Sequence, residues 1–354
     1  MMKNIKLPSL LFLLCFLAMI VSLYGYNNSI TEKVTKPYTT STICRETDKA
    51  DSLTGFDIQM YDLTLAINDQ THYINGNVVA TVLAEENLSY IEYNLVGLTV
   101  NNVLVNNVPA AYTHTNGIIH INLDIQAGAT FTTQVFYSGN PQLTSDIYHI
   151  GMIFTTNSVF TISDPDAARY WLPCYDHPWD KAIVNLTITM RSDWKVAANG
   201  LRTNIVNNGD GTSTTSWVGE HPMTTYLVCV TCGPYLEMNQ SAGNIPVQNF
   251  VMSNQYDNAL ITLSRVPMMI DYFSQLFGPY PFEKYGHAVV NMSTYGAMEH
   301  QTMTTLGNYI INGALTYETT IAHELCHQWY GNAVSFLTFK DVWLSEGFAT
   351  YSEH

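Results

Sequence analysis

Polar and apolar residues alternate along much of the chain between residues 55 and 238. The segments 57–65, 119–123 and 183–190 have an apolar residue at nearly every second position. This period of two is typical of half-buried β-strands, whose side chains point alternately to the two faces of a sheet. Asn-Gly pairs, which favour tight hairpin turns, interrupt the pattern at Asn75-Gly76 and Asn116-Gly117. The pattern predicts an antiparallel, sandwich-like β domain over residues 55–238.

The periodicity changes after residue 239. A helix is predicted over residues 268–277, where apolar residues recur at helical spacing on one side, namely Met269, Tyr272, Phe273 and Leu276. Residues 287–292 form a predicted strand. The mixture predicts an α+β domain over residues 239–354.

Composition and charge limit the classes of partner. Hydrophobic residues make up 47% of the chain, which is ample for a packed core, and 354 residues are typical of two domains. The 29 acidic residues against 14 basic ones give a formal net charge of −15. Nucleic acid is therefore excluded as a partner, because its phosphates would be repelled.

The first 25 residues predict export. Lys3 and Lys6 precede an apolar run from Leu10 to Val21. The run suits the core of a signal peptide and is short for a bilayer span of about 20 residues. Gly25 is a candidate last residue of that peptide. The expected location is periplasmic, extracellular or, if the segment is uncleaved, membrane-anchored, and residues 26–54 are interpreted as an extension or linker.

Two histidines four residues apart carry the clearest chemistry. His323, Glu324 and His327 form an HExxH signature, which places both imidazoles on one face of a helix. Glu346 follows with eighteen residues between it and His327, enough to end one helix and present a carboxylate from a second. The sequence predicts that His323, His327 and Glu346 bind one zinc ion. The alternative is an ordinary amphipathic helix with two surface histidines.

The predicted metal determines the predicted chemistry. Bound zinc polarises a carbonyl and lowers the pKa of its water to about 7. Glu324, between the two histidines, is the candidate general base that takes the proton of that water and passes it to the leaving amine.

Longer segments around these residues resemble one family. Residues 323–332 read HELCHQWYGN, 343–353 read WLSEGFATYSE, 296–300 read GAMEH, and 168–178 read ARYWLPCYDHP. The segment 296–300 is similar to the GxMEN exopeptidase motif. Together they resemble the M1 family of zinc aminopeptidases, and the resemblance runs from about Gly55 to His354.

The resemblance implies a fold and further site residues. It implies a saddle-like N-terminal β domain followed by the first part of a thermolysin-like catalytic domain. Glu299 would hold the free amino group of a peptide substrate, while Gly296 and Ala297 would run beside that peptide as an edge strand and Met298 would line the site. Asp164 aligns with a Glu or Gln that touches the same amine; the alternative is a solvent-facing loop acid.

The sequence also departs from the family pattern. His300 replaces the usual Asn and puts a titratable group beside Glu299, which could alter pH dependence. Ser345 replaces a common Asn. The chain ends eight residues after Glu346, so we expect a C-terminally truncated product that lacks the family's oxyanion-stabilising tyrosine and has reduced or no activity alone.

Three functions are consistent with these residues. The leading one is a zinc aminopeptidase acting on peptides with a free N-terminus. The others are a zinc endopeptidase and a non-catalytic binding protein with the same fold.

Cys229 and Cys232 form a CxxC pair on a strand-like segment, and we interpret them as buried thiols because residues three apart on a strand face opposite ways.

Overall fold

The computed structural model describes residues 55–292 and 296–353. The predicted export segment and the extension, 1–54, lie outside the described residues. Within the described ranges, no helix combines the length and apolar character needed to cross a bilayer.

In the part of the chain that the structure describes, twenty strands form four sheets. In chain order they are β1 (Phe56–Asn68), β2 (Tyr73–Ala84), β3 (Leu88–Asn94), β4 (Thr99–Val105), β5 (Val108–Pro109), β6 (Tyr112–Thr115), β7 (Ile118–Ile125), β8 (Thr130–Gly139), β9 (Gly151–Phe154), β10 (Val159–Ile162), β11 (Ile183–Arg191), β12 (Lys195–Ala198), β13 (Leu201–Asn207), β14 (Thr212–Val218), β15 (Val230–Gly233), β16 (Tyr235–Ala242), β17 (Ile245–Met252), β18 (Tyr285–Val290), β19 (Ala297–Met298) and β20 (Thr304–Gly307). The α-helices of the same residues are α1 (Tyr256–Thr262), α2 (Val266–Phe277), α3 (Glu318–Cys326) and α4 (Trp343–Ser352).

The first fifteen strands confirm the predicted β domain, with one difference in strand direction. The largest sheet has the order β13-β14-β11-β1-β2-β8-β4-β5, and smaller sheets are β3-β7-β6 and β12-β15-β10-β9. β1 pairs with β11 in parallel, with Met60 opposite Ile183, so the largest sheet is mixed and not purely antiparallel. Alternation reports which face a side chain occupies and carries no information on strand direction.

Of the two predicted Asn-Gly turns, one is confirmed and one is wrong. Asn116 and Gly117 have positive φ angles of 54° and 76° and join β6 to β7. Asn75-Gly76 instead lies inside β2. A Cβ on Gly76 would lie 2.4 Å from the Thr64 carbonyl oxygen on β1, so this glycine permits close approach of two strands.

The remaining described residues form an α+β arrangement. The sheet order is β16-β17-β18-β20-β19, with parallel pairing of β18 to both β17 and β20. β16 already belongs to this sheet, so the change of sheet comes just before residue 235; the division at 238/239 stays a prediction. The predicted helix is α2, but Tyr272 and Leu276 are more than half exposed and its buried side carries Val266, Ile270 and Phe273.

A small apolar cluster connects the β part to the α+β part. Ile162 from β10 and the buried residues Tyr226 and Leu227 belong to the same cluster as Met298 of β19 and Phe336. Residues 225–227 form a 3-10 turn. This cluster brings the end of β10 next to β19, and the candidate site lies at that junction.

The cysteines agree with the sequence interpretation where they are described. Cys174, Cys229, Cys232 and Cys326 are free and buried. Burial raises the pKa of the Cys229 and Cys232 thiols, which keeps both protonated and unreactive at neutral pH.

Candidate metal centre

Two consecutive α-helices present the three candidate zinc ligands, His323, His327 and Glu346, which we call the metal triad. His323 lies in the last turn of α3, and His327 follows directly as its C-cap in the helical conformation. Glu346 lies in the first turn of α4. The predicted spacing therefore works as expected: one helix ends, the chain turns, and the next helix returns a carboxylate to the same point.

The geometry of the metal triad suits one tetrahedral ion. His323 Nε2 and His327 Nε2 are 3.1 Å apart, and the Glu346 carboxylate oxygens lie 3.4 Å from the first and 3.6 Å from the second. Zinc bonds of about 2.0–2.2 Å in a tetrahedron put neighbouring ligand atoms about 3.3 Å apart. The donor set and its spacing thus fit zinc.

Hydrogen bonds at Nδ1 of His323 and His327 fix the orientation of the two imidazole rings. His327 Nδ1 is 3.1 Å from the Tyr330 carbonyl oxygen, which can only accept, so this nitrogen carries the hydrogen. His323 Nδ1 is 3.0 Å from Glu353 Oε2. In both rings this leaves the Nε2 lone pair directed at the same point. Two lone pairs at 3.1 Å repel unless a cation or proton lies between them.

The pKa values of the two rings differ accordingly. Burial opposes charge on His323, but Glu346, Glu324 and Glu353 outweigh it and raise its pKa to about 9. Burial lowers the pKa of His327 to about 4. Burial also acts on Glu346, yet the histidines lower its pKa below the ordinary value. Without metal the pair of rings therefore carries one proton more than two neutral imidazoles, and an incoming ion must displace that proton.

Glu324 is placed as a general base should be. Its side chain is buried, and its Oε2 has no hydrogen-bond partner among the described residues. Burial, followed by the nearby charge of Glu299, raises its pKa well above the ordinary value. A carboxylate with a raised pKa and a free oxygen can accept a proton and return it.

A cavity of about 170 Å³ collects nearly all of the predicted site residues. Its lining comprises Ile162, Asp164, Ala297, Met298, Glu299, His323, Glu324, His327 and Glu346. Gly296 is not part of the lining and directly precedes β19. Asp164, which follows β10, faces this cavity, so the alternative of a solvent-facing loop acid is wrong.

Glu299 and Asp164 add two further carboxyl groups to the cavity that the metal triad lines. Burial, and then the charge of Glu346, raises the pKa of Glu299 to about 7. Burial, and then the charge of Glu299, likewise raises the pKa of Asp164 to about 7. Such carboxyls are destabilised as neighbouring anions, and a bound cation would relieve that cost.

The predicted edge strand is present. Among the described residues, β19 pairs with β20 alone and ends the five-stranded sheet. The Gly296 carbonyl accepts a hydrogen bond from the Gly307 amide at 2.9 Å, which ties the start of β19 to the sheet. Ala297 and Met298 both line the cavity.

The expectation for His300 is wrong. Its side chain is fully buried and hydrogen-bonded with Thr305, at 3.0 Å from Nδ1 to Oγ1. Burial lowers its pKa to about 3. His300 is therefore neutral at working pH and adds no titration beside Glu299.

Several supporting residues were not found from the sequence. Glu353 lies seven residues after Glu346 on the same helix, and that helical spacing was the available signal. Ser345 Oγ is 2.9 Å from His327 Nδ1 and donates to the Tyr330 carbonyl. A Cβ on Gly331 would lie 2.4 Å from Ser345 Oγ, so glycine there makes room for this contact.

Comparison with known proteins agrees with this arrangement. Residues 58–227 match the Peptidase M1 N-terminal domain and residues 261–354 match the Peptidase family M1 domain. Glutamyl aminopeptidase of Mus musculus is 28% identical over 204 residues, covering 54% of this chain and 22% of that protein. Endoplasmic reticulum aminopeptidase 1 of Homo sapiens is 26% identical over 242 residues, covering 64% and 26%. The chain thus spans about a quarter of the length of these relatives.

Comparison with solved structures also finds similarity to M1 peptidases. The M1 zinc metallopeptidase from Deinococcus radiodurans superposes with a TM-score of 0.76 at 29% identity, covering 84% of this chain and 69% of that one. A mutant of that protein bound to a Tyr-Ser-Ala substrate gives 0.76 at 28% identity, covering 85% and 70%.

Proposed function

Because this chain belongs to the M1 peptidase family, we propose that it provides the metal centre and the amine-binding site of a zinc-dependent aminopeptidase. The substrates would be peptides with a free N-terminus. Export of the protein, inferred from residues 1–25, is part of the same proposal.

One observation carries most of the proposal: the metal triad and Glu299 line the same small cavity. A carboxylate that binds an α-ammonium there would leave the first peptide bond, and no later one, beside the metal triad. Asp164 adds a second carboxylate on the side of the β part. This arrangement favours an aminopeptidase over an endopeptidase, whose substrates place no charged amine next to the cleaved bond.

The residues of this chain would divide the work as follows. Zinc, when bound, supplies Lewis-acid chemistry at the point shared by the triad. Glu299 and Asp164 hold and orient the ammonium, and they stabilise it through charge in a buried setting. Glu324 accepts a proton at Oε2 from the attacking water and later gives it to the leaving amine. The apolar side chains of Ile162 and Met298 limit water in the cavity.

Metal and ligand binding test the proposal. We expect the 354-residue chain to bind one zinc ion, and His323→Ala to bind none, in a stoichiometry measurement by atomic emission. The zinc-loaded chain should bind L-tryptophan more tightly than N-acetyl-L-tryptophan in calorimetry, because acetylation removes the charged amine. Glu299→Gln should lose that preference and keep the zinc.

Two results would contradict the proposal. A chain that takes up no zinc at neutral pH would remove the metal centre and leave the binding-protein alternative. A zinc-loaded chain that binds the free and the acetylated ligand equally would remove the amine site and favour an endopeptidase. Hydrolysis of an aminoacyl arylamide, followed in the same preparations, would report whether binding leads to turnover.

A further inference from the structure

The backbone just after Glu299 is strained and fully enclosed. We call residues 299–302 the anchor turn. Thr302, at its end, has a φ of 66° and is fully buried. A β-branched residue in the left-handed region is disfavoured and persists only where its surroundings hold it there. The contacts that hold Thr302 therefore also fix the path of the chain three residues earlier, at Glu299.

Gln328 holds the anchor turn from the side of the metal triad. It follows His327 directly, and its side chain is fully buried. Its Oε1 accepts a hydrogen bond from the Thr302 amide at 2.9 Å. Its Nε2 donates to the carbonyl oxygens of Glu299 at 3.3 Å and His300 at 3.4 Å. The orientation of the amide is unambiguous, because an N–H faces one end and two carbonyls face the other.

The rest of the protein holds the anchor turn from the opposite side. Asn199 Nδ2 donates to the Gln301 carbonyl oxygen at 2.6 Å, and the Gly200 amide donates to Thr302 Oγ1 at 2.9 Å. Lys284 Nζ donates to the Thr302 carbonyl oxygen at 2.9 Å and to that of Ala198 at 3.1 Å. These contacts fix the turn to the sheets, but none of them reaches the metal triad. The distance from the turn to the triad depends on Gln328, with Asn332 adding one bond to the Glu299 carbonyl at 2.7 Å.

We propose that Gln328 is a positioning residue that sets the register between the amine anchor Glu299 and the metal triad. This inference rests on the proposed function. Glu299 reads the substrate amine, His327 holds the metal, and the amide of Gln328 is the short rigid connection between their backbones. Specificity for a free N-terminus then depends on a residue that touches neither the amine nor the metal.

The physical consequence of removing this amide is local. The Thr302 N–H would be left buried without an acceptor, and the turn would gain by rotating Thr302 to a negative φ. Glu299 would shift with it, while His323, His327 and Glu346 would keep their own hydrogen bonds. Amine recognition should therefore weaken without loss of metal.

The experiment compares the removal of two fully buried side-chain amides, one that contacts the anchor turn and one that does not. Gln328→Met removes the contacts above with little change of volume. Asn249→Leu is the matched control, because Asn249 is also fully buried and bonds to the Met238 carbonyl, Gln240 and His287, away from the anchor turn. For each zinc-loaded chain, calorimetry gives the ratio of affinities for L-tryptophan and N-acetyl-L-tryptophan, and atomic emission gives the zinc content.

We expect Gln328→Met to reduce the preference for the free amine about fivefold to tenfold, in keeping with the loss of one or two net hydrogen bonds. Zinc content should stay at one per chain, and Asn249→Leu should keep the wild-type ratio. Gln328→Leu serves as a second variant should the methionine variant fold poorly. It removes the same acceptor and donor from the anchor turn, so it should lower the ratio as well.

The outcomes separate this inference from the proposed function. If Glu299→Gln loses the preference while both Gln328 variants retain it, Gln328 does not set the register and the aminopeptidase proposal stands. If the wild-type chain shows no preference, both fall together. Equal loss in Gln328→Met and Asn249→Leu would mean that any damage to the core has this effect, and would overturn the inference.

Discussion

The metal triad and Glu299 of the anchor turn line one cavity, yet the chain builds the triad and the turn by different routes. The triad comes from 24 residues, 323–346, and its orientation depends on neighbours within a few helical turns, such as Glu353 and Ser345. The anchor turn depends on residues from three distant segments, near 199, 284 and 328. A local site can be recognised from spacing, whereas a site held by distant contacts can be recognised only once the fold is known.

The metal triad, which neighbouring residues orient, is tested through Glu353, where the largest effect is expected. It accepts from His323 Nδ1 and orients that ligand. Glu353→Ala should weaken zinc affinity about 10- to 100-fold, as is usual when the partner of a ligating histidine is lost. Competition with a metal-sensitive dye measures this. Glu318→Ala is the control, since Glu318 lies on α3 but pairs with Arg265 on the surface. Equal affinities for the two variants would show that Glu353 has no such role.

The anchor turn, which distant residues hold, is tested through Lys284, whose amine is buried. Burial lowers its pKa from 10.5 to about 7. Between those values the unfolded chain holds a proton that the folded chain lacks, so this residue makes stability rise with pH through that window. Below about pH 7 both forms are protonated and the full cost of burying the charge applies.

Replacing Lys284 should therefore flatten the pH dependence. Relative to Lys284→Met, the wild-type chain should gain about 2 kcal/mol of unfolding free energy between about pH 7 and pH 9, measured by urea denaturation. Lys340→Met is the control, because Lys340 is exposed. A constant difference between wild type and Lys284→Met across this range would mean that the amine stays charged, stabilised by its carbonyl partners.

The smallest expected effect belongs to Ser345. Its hydroxyl is one of two acceptors near His327 Nδ1, and the Tyr330 carbonyl remains when it is removed. Ser345→Ala should weaken zinc affinity only about twofold to fivefold, the value of one net hydrogen bond. The same dye competition measures it. A loss as large as that of Glu353→Ala would show that the hydroxyl, and not the carbonyl, fixes the ring.

The sequence was sufficient where chemistry and spacing are local. HExxH and Glu346 predicted a cluster that the fold does assemble, and alternation predicted the strands of the β domain. Prediction from the sequence was wrong where one sequence pattern is compatible with several structures. Asn75-Gly76 lies in a strand because the approach of β1 and β2 required a glycine, and alternation did not reveal that β1 and β11 run in parallel.

Burial explains the remaining differences. From the sequence, His300 is a titratable group next to an acid, but its environment keeps it neutral. Gln328, Asn199 and Lys284 are ordinary polar residues until the fold brings them around residues 299–302. The family resemblance predicted Glu299 itself, while the residues that hold it could be recognised only from the structure.

β19 has one further consequence. It is two residues long, and within the described part of the chain it is paired on one side and open on the other. A peptide lying along it would be held by main-chain hydrogen bonds, which are common to every sequence. Tolerance of varied downstream residues would follow from that, and selection among peptides would depend on the residues that line the cavity.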